Sequence, residues 1–505
     1  MKLRLLISAL LFGVCFPLVS SVDFKQNDDW IYYRNAVSFL SGDFTLDPYM
    51  GPTFYTQGIL GAGYIYFFGG DTLPVLSLLF SVGSFYLFTT ILSRFLKLTS
   101  IDSVMLGMLL FVNPLNVHSF LGFMTEAYFL FLMLLCLYLF LFYLDNPDLR
   151  QYVLLVCAIV IAFFSRQVVL FMPLGFAVFG VLTKKPKTAL LSFATFLGLA
   201  VYYKFLFPAS PAMQTKAFSP HHLLEFDYSF AIFYGILILL TAFVTPLVVN
   251  AIIPDNRPNI AKALVLLIFA VLLYFGSAKL FKPDTVSWGE FPYFENTLER
   301  SGFYPRGVFG TKYLFKWNYD LYRYWDLGSK LLVGLLVSSL FVFRRKILNL
   351  YSVLIVTYML VMIVTQRFFD RYLLELIPLF IMFLLKIKER LRFSYPYRSV
   401  IAGFTLFLAF YSYQFGMDFV GVNKYIWNKS EEIVEREKIE PSKIQGTNAW
   451  KLSYRNYVGD YKYTFSYDSP DVNQGFKDNW TLVEEHQINY PLNIFIEPKI
   501  YLYRR

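Results

Sequence analysis

The chain has 505 residues, of which 57% are hydrophobic, 20% aromatic and only 16% charged. Soluble globular domains carry about a quarter charged residues, so a water-soluble enzyme of this length could not be clothed with the charge available. Disorder, a collagenous repeat and a disulfide-stapled secreted scaffold are excluded on the same composition. The apolar stretches are long and continuous rather than alternating, which points to an all-α polytopic membrane protein.

The net charge of +10 does not signal nucleic acid, because the cations sit in short clusters between apolar runs rather than on one soluble domain. There they report topology. Cys15, Cys136 and Cys157 all fall inside apolar runs and read as small hydrophobes, with no disulfide or metal-type spacing.

In chain order the runs cover 5–22, 72–93, 103–117, 124–144, 151–165, 168–183, 188–207, 229–250, 262–281, 329–343, 347–364, 372–386 and 397–416. That is about thirteen transmembrane helices, several of them shorter than the usual ~20 residues. Lys2 and Arg4, Arg94 and Lys97, Arg150, Lys184 to Lys187, Arg257 and Lys262, Arg344 to Lys346, and Lys386 to Arg392 all fall on one side if the chain starts inside. Treating 151–181 as one long helix would flip that parity, so a tight hairpin is expected with Arg166 and Gln167 at its outer tip. The first run, basic at its start and ending in Ser20-Ser21, resembles a signal peptide and is read as a retained anchor.

This orientation leaves 23–71, 208–228, 282–328 and 417–505 outside. The chain divides into a transmembrane unit, 1–416, and an extracytoplasmic C-terminal domain, 417–505, whose composition predicts a small α+β fold. A helix is expected around Glu431 to Glu437, and strands at Tyr461 to Tyr467 and Leu492 to Ile496.

The first outer loop is the informative one. In Asp28-Asp29-Trp30-Ile31-Tyr32-Tyr33-Arg34, the apolar positions Trp30, Tyr33, Val37 and Leu40 recur at helical spacing. The pattern predicts a helix on the membrane surface, opened by two carboxylates and closed by Gly42. A second aromatic segment, Tyr55 to Phe68, is expected beside it. An acidic pair at a helix N-terminus ordinarily caps free N–H groups and complements the macrodipole. At membrane depth, however, a carboxylate is costly unless it has a partner or a task.

These residues resemble the GT-C membrane glycosyltransferases, closest to the type that uses a polyprenyl- or dolichyl-phosphate sugar, including mannosyltransferases and bacterial lipid A glycosyltransferases. The resemblance rests on the inside N-terminus and the acidic pair after the first span. It extends to Met124-Thr125-Glu126 opening the fourth span, Arg371-Tyr372 opening a late one, and Ile444 to Trp450, which looks like the first strand of such outer domains. It implies a polyprenyl-phosphate-sugar donor, a lipid, glycan or protein acceptor, and catalysis on the outer face of a bacterial cell membrane. It also assigns the general base to the first member of the pair, Asp28, with Asp29 orienting the acceptor or helping to hold a cation.

Such a reaction needs a carboxylate to take the acceptor proton and fixed positive charge for the departing phosphate. Arginine suits the second task because its planar fork binds phosphate oxygens in pairs. Arg166, Arg367 and Arg371 are placed for it, although an interfacial arginine also snorkels to lipid head groups. Tyr32, Tyr33, Gln167 and Glu126 complete the expected binding set. Glu126 with His118 is the weak candidate for a divalent metal ion; Thr125 capping the fourth span is the plain alternative for this stretch. His221-His222 lacks a third ligand at matching spacing. Trp288, Trp317 and Trp325 in the loop 282–328 suit either sugar stacking or simple interfacial anchoring. No Gly-rich phosphate loop, His-Glu-x-x-His or Gly-x-Ser-x-Gly occurs. The competing classes are a transporter or flippase for lipid-linked sugars and a polysaccharide polymerase or ligase.

Overall fold

The computed structural model describes residues 1–26, 28–208, 220–253, 260–280, 321–343, 347–365, 369–388, 394–454, 460–466, 479–494 and 499–505. Its elements are α1 (Lys2–Ser20), α2 (Asp29–Leu40), α3 (Tyr55–Phe68), α4 (Pro74–Phe95), α5 (Ser100–Phe111), α6 (Pro114–Phe120), α7 (Thr125–Asp145), α8 (Leu149–Phe163) and α9 (Phe171–Leu182). There follow α10 (Pro186–Val201), α11 (Phe226–Phe243), α12 (Thr245–Ile252), α13 (Ile260–Leu280), α14 (Leu321–Val342), α15 (Leu350–Thr365), α16 (Leu376–Ile387), α17 (Tyr395–Glu437) and α18 (Asn448–Ser453). Four short strands close the chain: β1 (Ile444–Gln445), β2 (Tyr463–Ser466), β3 (Thr481–Gln487) and β4 (Lys499–Arg504).

Each apolar run of the sequence is helical, and the α-rich, apolar character of a membrane protein is evident. Among the described residues, five helices are long and apolar enough to cross a membrane, or seven if each of two bent pairs makes one crossing. Six further apolar helices have only 10–17 residues.

The bends have local causes. Helix α5 starts on a reciprocal cap in which Thr99 Oγ1 accepts from Asp102 N (3.2 Å) and donates to Asp102 Oδ2 (2.6 Å). It stops where Asn113 caps the next turn and Pro114 occupies its first position, so α5 and α6 meet at 67°. The carbonyls stranded by the break are taken up by Asn116 Nδ2 on Phe111 O (2.8 Å) and Ser412 Oγ on Val112 O (2.6 Å). The 100° bend between α11 and α12 precedes Pro246, and the Thr245 hydroxyl satisfies Thr241 O at 3.0 Å.

Helix direction follows the charge pattern wherever contacts test it. Arg4, at the start of α1, reaches Thr89 O and Ser93 Oγ near the end of α4. Arg398, at the start of α17, grips Asp102 at the start of α5 through two hydrogen bonds of 2.8 and 3.1 Å. Lys388 donates to Asn250 O and Ile253 O at the end of α12. The opposite helix ends carry the carboxylates and arginines described below.

Three details differ from the sequence reading. The chain does break at Phe164 to Arg166, but α8 packs on α7 whereas α9 packs on α10 and α15, so the two do not form a close hairpin. The expected boundary at 416/417 falls inside α17, which runs unbroken for 43 residues from the apolar unit into the tail. In the tail, residues 461–467 do contain β2. Ile444 to Trp450, however, supplies only the two-residue β1 before α18 begins, because Thr447 caps that helix through Trp450 N. Leu492 to Ile494 is not a strand: Gln414 of α17 holds it by donating to Leu492 O (2.6 Å) and accepting from Ile494 N (2.9 Å). The sheet has the order β1-β2-β4-β3, parallel only between β1 and β2.

Candidate functional site

The loop after the first helix, residues 23–71, folds into the two helices α2 and α3. Gly42 closes α2 at φ +86°, donating its N–H to Phe39 O. One face of α2, with Ile31, Tyr32, Asn35, Ala36 and Phe39, is buried, whereas Val37 and Leu40 are left exposed. Tyr32 stacks on Phe54 with ring centroids 5.1 Å apart, and Tyr33 lies under the Lys25 ammonium at 3.7 Å. Lys424 of α17 pairs with Asp23 (2.8 Å), and α18 packs on α2, so the tail braces this loop.

The two adjacent aspartates are turned to different work. Neither side chain caps α2. Asp29 is buried, and its Oδ2 accepts from the backbone N–H of Phe123 at 2.9 Å. Burial pushes its carboxyl up to about 7, against the opposing pull of the Phe123 N–H and of Lys25. Beside it, Gln26 donates to His118 O (3.1 Å) and Gln57 of α3 donates to Phe123 O (3.0 Å). Three buried polar side chains therefore fix the segment between α6 and α7. Gly122 belongs to the same clamp, since a Cβ there would collide with Gln26 and the Asp29 carboxylate. Asp29 thus fastens the start of α7.

Asp28 is the exposed member of the pair, with 36% of its side chain accessible. Its Oδ2 accepts from Arg371 Nη2 at 2.7 Å. Arg371 Nε lies 3.0 Å from Glu126 Oε1. Arg166 Nη1 is 3.5 Å from that same Glu126 oxygen and 3.2 Å from Glu375 Oε1. The charged groups thus form one alternating row, Asp28–Arg371–Glu126–Arg166–Glu375, and only the Asp28 end is substantially open. Both guanidiniums also lie over the Tyr372 ring, Arg166 at 4.2 Å and Arg371 at 5.7 Å.

Each member is delivered by a helix end. Met124, not Thr125, is the cap residue of α7, which places Glu126 in its first turn. Arg166 precedes a short 3₁₀ turn, 167–170, and Arg371 lies in another, 370–373. The Tyr358 hydroxyl of α15 fixes the latter by donating to Tyr372 O (2.7 Å), and it reaches Glu375 Oε2 at 3.5 Å.

Of the expected residues, the fold brings Asp28, Glu126, Arg166 and Arg371 into direct contact. Gln167 donates instead to Gly51 O at 3.3 Å, and the His118 ring stands edge-on to Phe419. Among the described residues, no three His, Cys, Asp or Glu side chains are grouped to hold a metal ion. Arg367, Trp288 and Trp317 lie outside the described residues, as do the side chains of Trp325 and His222. Glu375, Tyr358, Gln26 and Gln57 were not singled out from the sequence. Glu375 carried a legible signal, a carboxylate inside an apolar run where an unpaired charge is costly. The other three are polar groups whose role depends on what lies across from them.

No known protein family matches the chain, and no characterised protein resembles it at a significant level.

Proposed function

We propose that the protein is a GT-C-type membrane glycosyltransferase. It moves a sugar from a polyprenyl-phosphate donor to an acceptor hydroxyl on a lipid, glycan or protein, at the outer face of a bacterial cell membrane. The observation that carries this reading is the 2.7 Å pair between the exposed carboxylate of Asp28 and the guanidinium of Arg371. It sets a proton acceptor and a phosphate-binding fork side by side at one end of the helices. In the reaction the acceptor oxygen forms a bond to the anomeric carbon as its proton passes to the Asp28 carboxylate. The bond from that carbon to the phosphate oxygen breaks, and the oxygen keeps the electron pair. Arg371, backed by Arg166, stabilises the charge that gathers on the phosphate. Glu126 and Glu375 hold the two guanidiniums in place.

The outer assignment rests on the charge pattern: the site lies at helix ends opposite those bearing Arg4, Arg398 and Lys388. The exposed apolar residues Tyr66, Phe67 and Phe68 at the end of α3 suit contact with an isoprenoid chain or surrounding lipid. A second reading, a transporter for lipid-linked sugars, draws on the two bent helix pairs and the buried charges.

The deciding experiment supplies membranes containing the protein with a radiolabelled polyprenyl-phosphate sugar. The expected result is a labelled covalent product, lost in Asp28→Asn and retained at reduced rate in Asp29→Asn. Undiminished transfer by a folded Asp28→Asn protein rejects the base assignment. Uptake into sealed vesicles with no covalent product replaces the transferase with the transporter.

A further inference from the structure

Among the described residues, the row holds three carboxylates and two guanidiniums. Glu126 lies between the two arginines and Glu375 beyond Arg166, both almost wholly buried, so neither can leave without costing a buried cation one of its partners. Asp28 differs. It ends the row, sits 36% exposed, and holds Arg371 through a single contact on Nη2, whereas Glu126 grips the same guanidinium from the Nε side. An incoming anion therefore meets Arg371 on the face that Asp28 covers.

We infer that Asp28 is an exchangeable lid on Arg371: the polyprenyl-linked phosphate, a diester in the donor and a monoester once the sugar has left, takes its place on the guanidinium and thereby frees the Asp28 carboxylate. Alternation of charge along the row survives the exchange, because one anion replaces another at the open end. The inference rests on the transferase reading for its consequence, an order of events in which donor binding precedes activation of the acceptor. In the resting protein the base is tied to the very group that the donor must occupy, so hydroxyl compounds, water among them, find it engaged. With the donor seated, Asp28 is released beside the anomeric carbon.

The exchange has a counterintuitive signature. Removing the carboxylate should strengthen donor binding, because the intrinsic affinity of Arg371 is reduced by the fraction of molecules in which Asp28 occupies it. The experiment measures binding of a fluorescent polyprenyl monophosphate, without sugar or acceptor, to the full-length protein in detergent. The expected result is about fivefold tighter binding by Asp28→Asn and by Asp28→Ser, on the scale of a partly exposed ion pair. The matching polyprenyl alcohol should bind all forms alike. Inorganic phosphate as competitor separates the sources: displacement at millimolar levels marks a site for the free ion, and no displacement marks one for the lipid-borne group. Unchanged or weaker binding in both folded variants overturns the exchange. Because no transfer is needed, tighter binding with no glycosyl product from the wild type would retain the exchange and reject the transferase. Product without tighter binding would do the reverse.

Discussion

Arg371 Nη2 stands 2.7 Å from Asp28 Oδ2 although 343 residues separate them in the chain. The contact joins the loop after the first helix to the turn before α16, and Glu126 of α7 meets the same guanidinium from its Nε side. Removing the Asp28 carboxylate should leave the fold intact, because this side chain caps no helix and is partly exposed. Asp28→Asn is expected to lower sugar transfer by about 10²- to 10⁴-fold, the usual contribution of a general base. Initial rates of labelled product in membranes, with thermal unfolding in detergent as the control for folding, check this.

Asp29 should reveal itself through pH. Its folded carboxyl is raised from 3.8 to about 7 by burial, so between these values the folded protein holds a proton that the unfolded chain has lost. Stability from this group therefore falls as pH rises from about 4 towards 7, and levels off above it. Asp29→Asn retains an acceptor for Phe123 N–H but has no proton to exchange. The variant is expected to lose this part of the pH slope when unfolding is followed from pH 4 to 8. An identical slope in both proteins would contradict the assignment.

Glu375 and Arg166 form a buried pair, and removing Glu375 leaves the Arg166 guanidinium only the longer 3.5 Å contact with Glu126. Glu375→Ala is expected to destabilise the protein by about 3 kcal/mol. Replacing both residues by methionine should cost less stability than either single change, because no uncompensated charge is left. Midpoints of denaturation for the two singles and the double complete the cycle.

Gly122→Ala tests the clamp. The added methyl meets Gln26 and the Asp29 carboxylate, both buried, so the loop carrying α7 must move. A loss of about 1–3 kcal/mol is expected, together with slower transfer because Glu126 shifts with the helix. Full activity at unchanged stability would show that the loop does not position the site.

Much of the architecture was legible before any coordinates. Continuous apolar runs become helices because a chain starved of charge must satisfy its backbone internally. Cations mark some of the helix ends that lie together: Arg4 meets the end of α4, whereas Arg398, which the cluster reading did not use, meets the start of α5. Interruptions were read less well. The break at Arg166 was located, but not that α8 and α9 would take different neighbours. The tail's strands were largely misplaced, since a strand's existence depends on partners: Leu492 to Ile494 has strand-like composition yet bonds to Gln414 on α17.

Sequence alone determined the helical, apolar class of this protein, a helix after the first run, and the candidates Asp28, Glu126, Arg166 and Arg371. Composition and periodicity are local quantities, and these features follow from local quantities. Tertiary structure decided which aspartate faces outward and which is spent on Phe123 N–H. It also decided that Glu375 belongs with the arginines and that the charges alternate in one row. Those assignments depend on distances between groups far apart in the chain, and burial sets the worth of each charge only once its neighbours are in place.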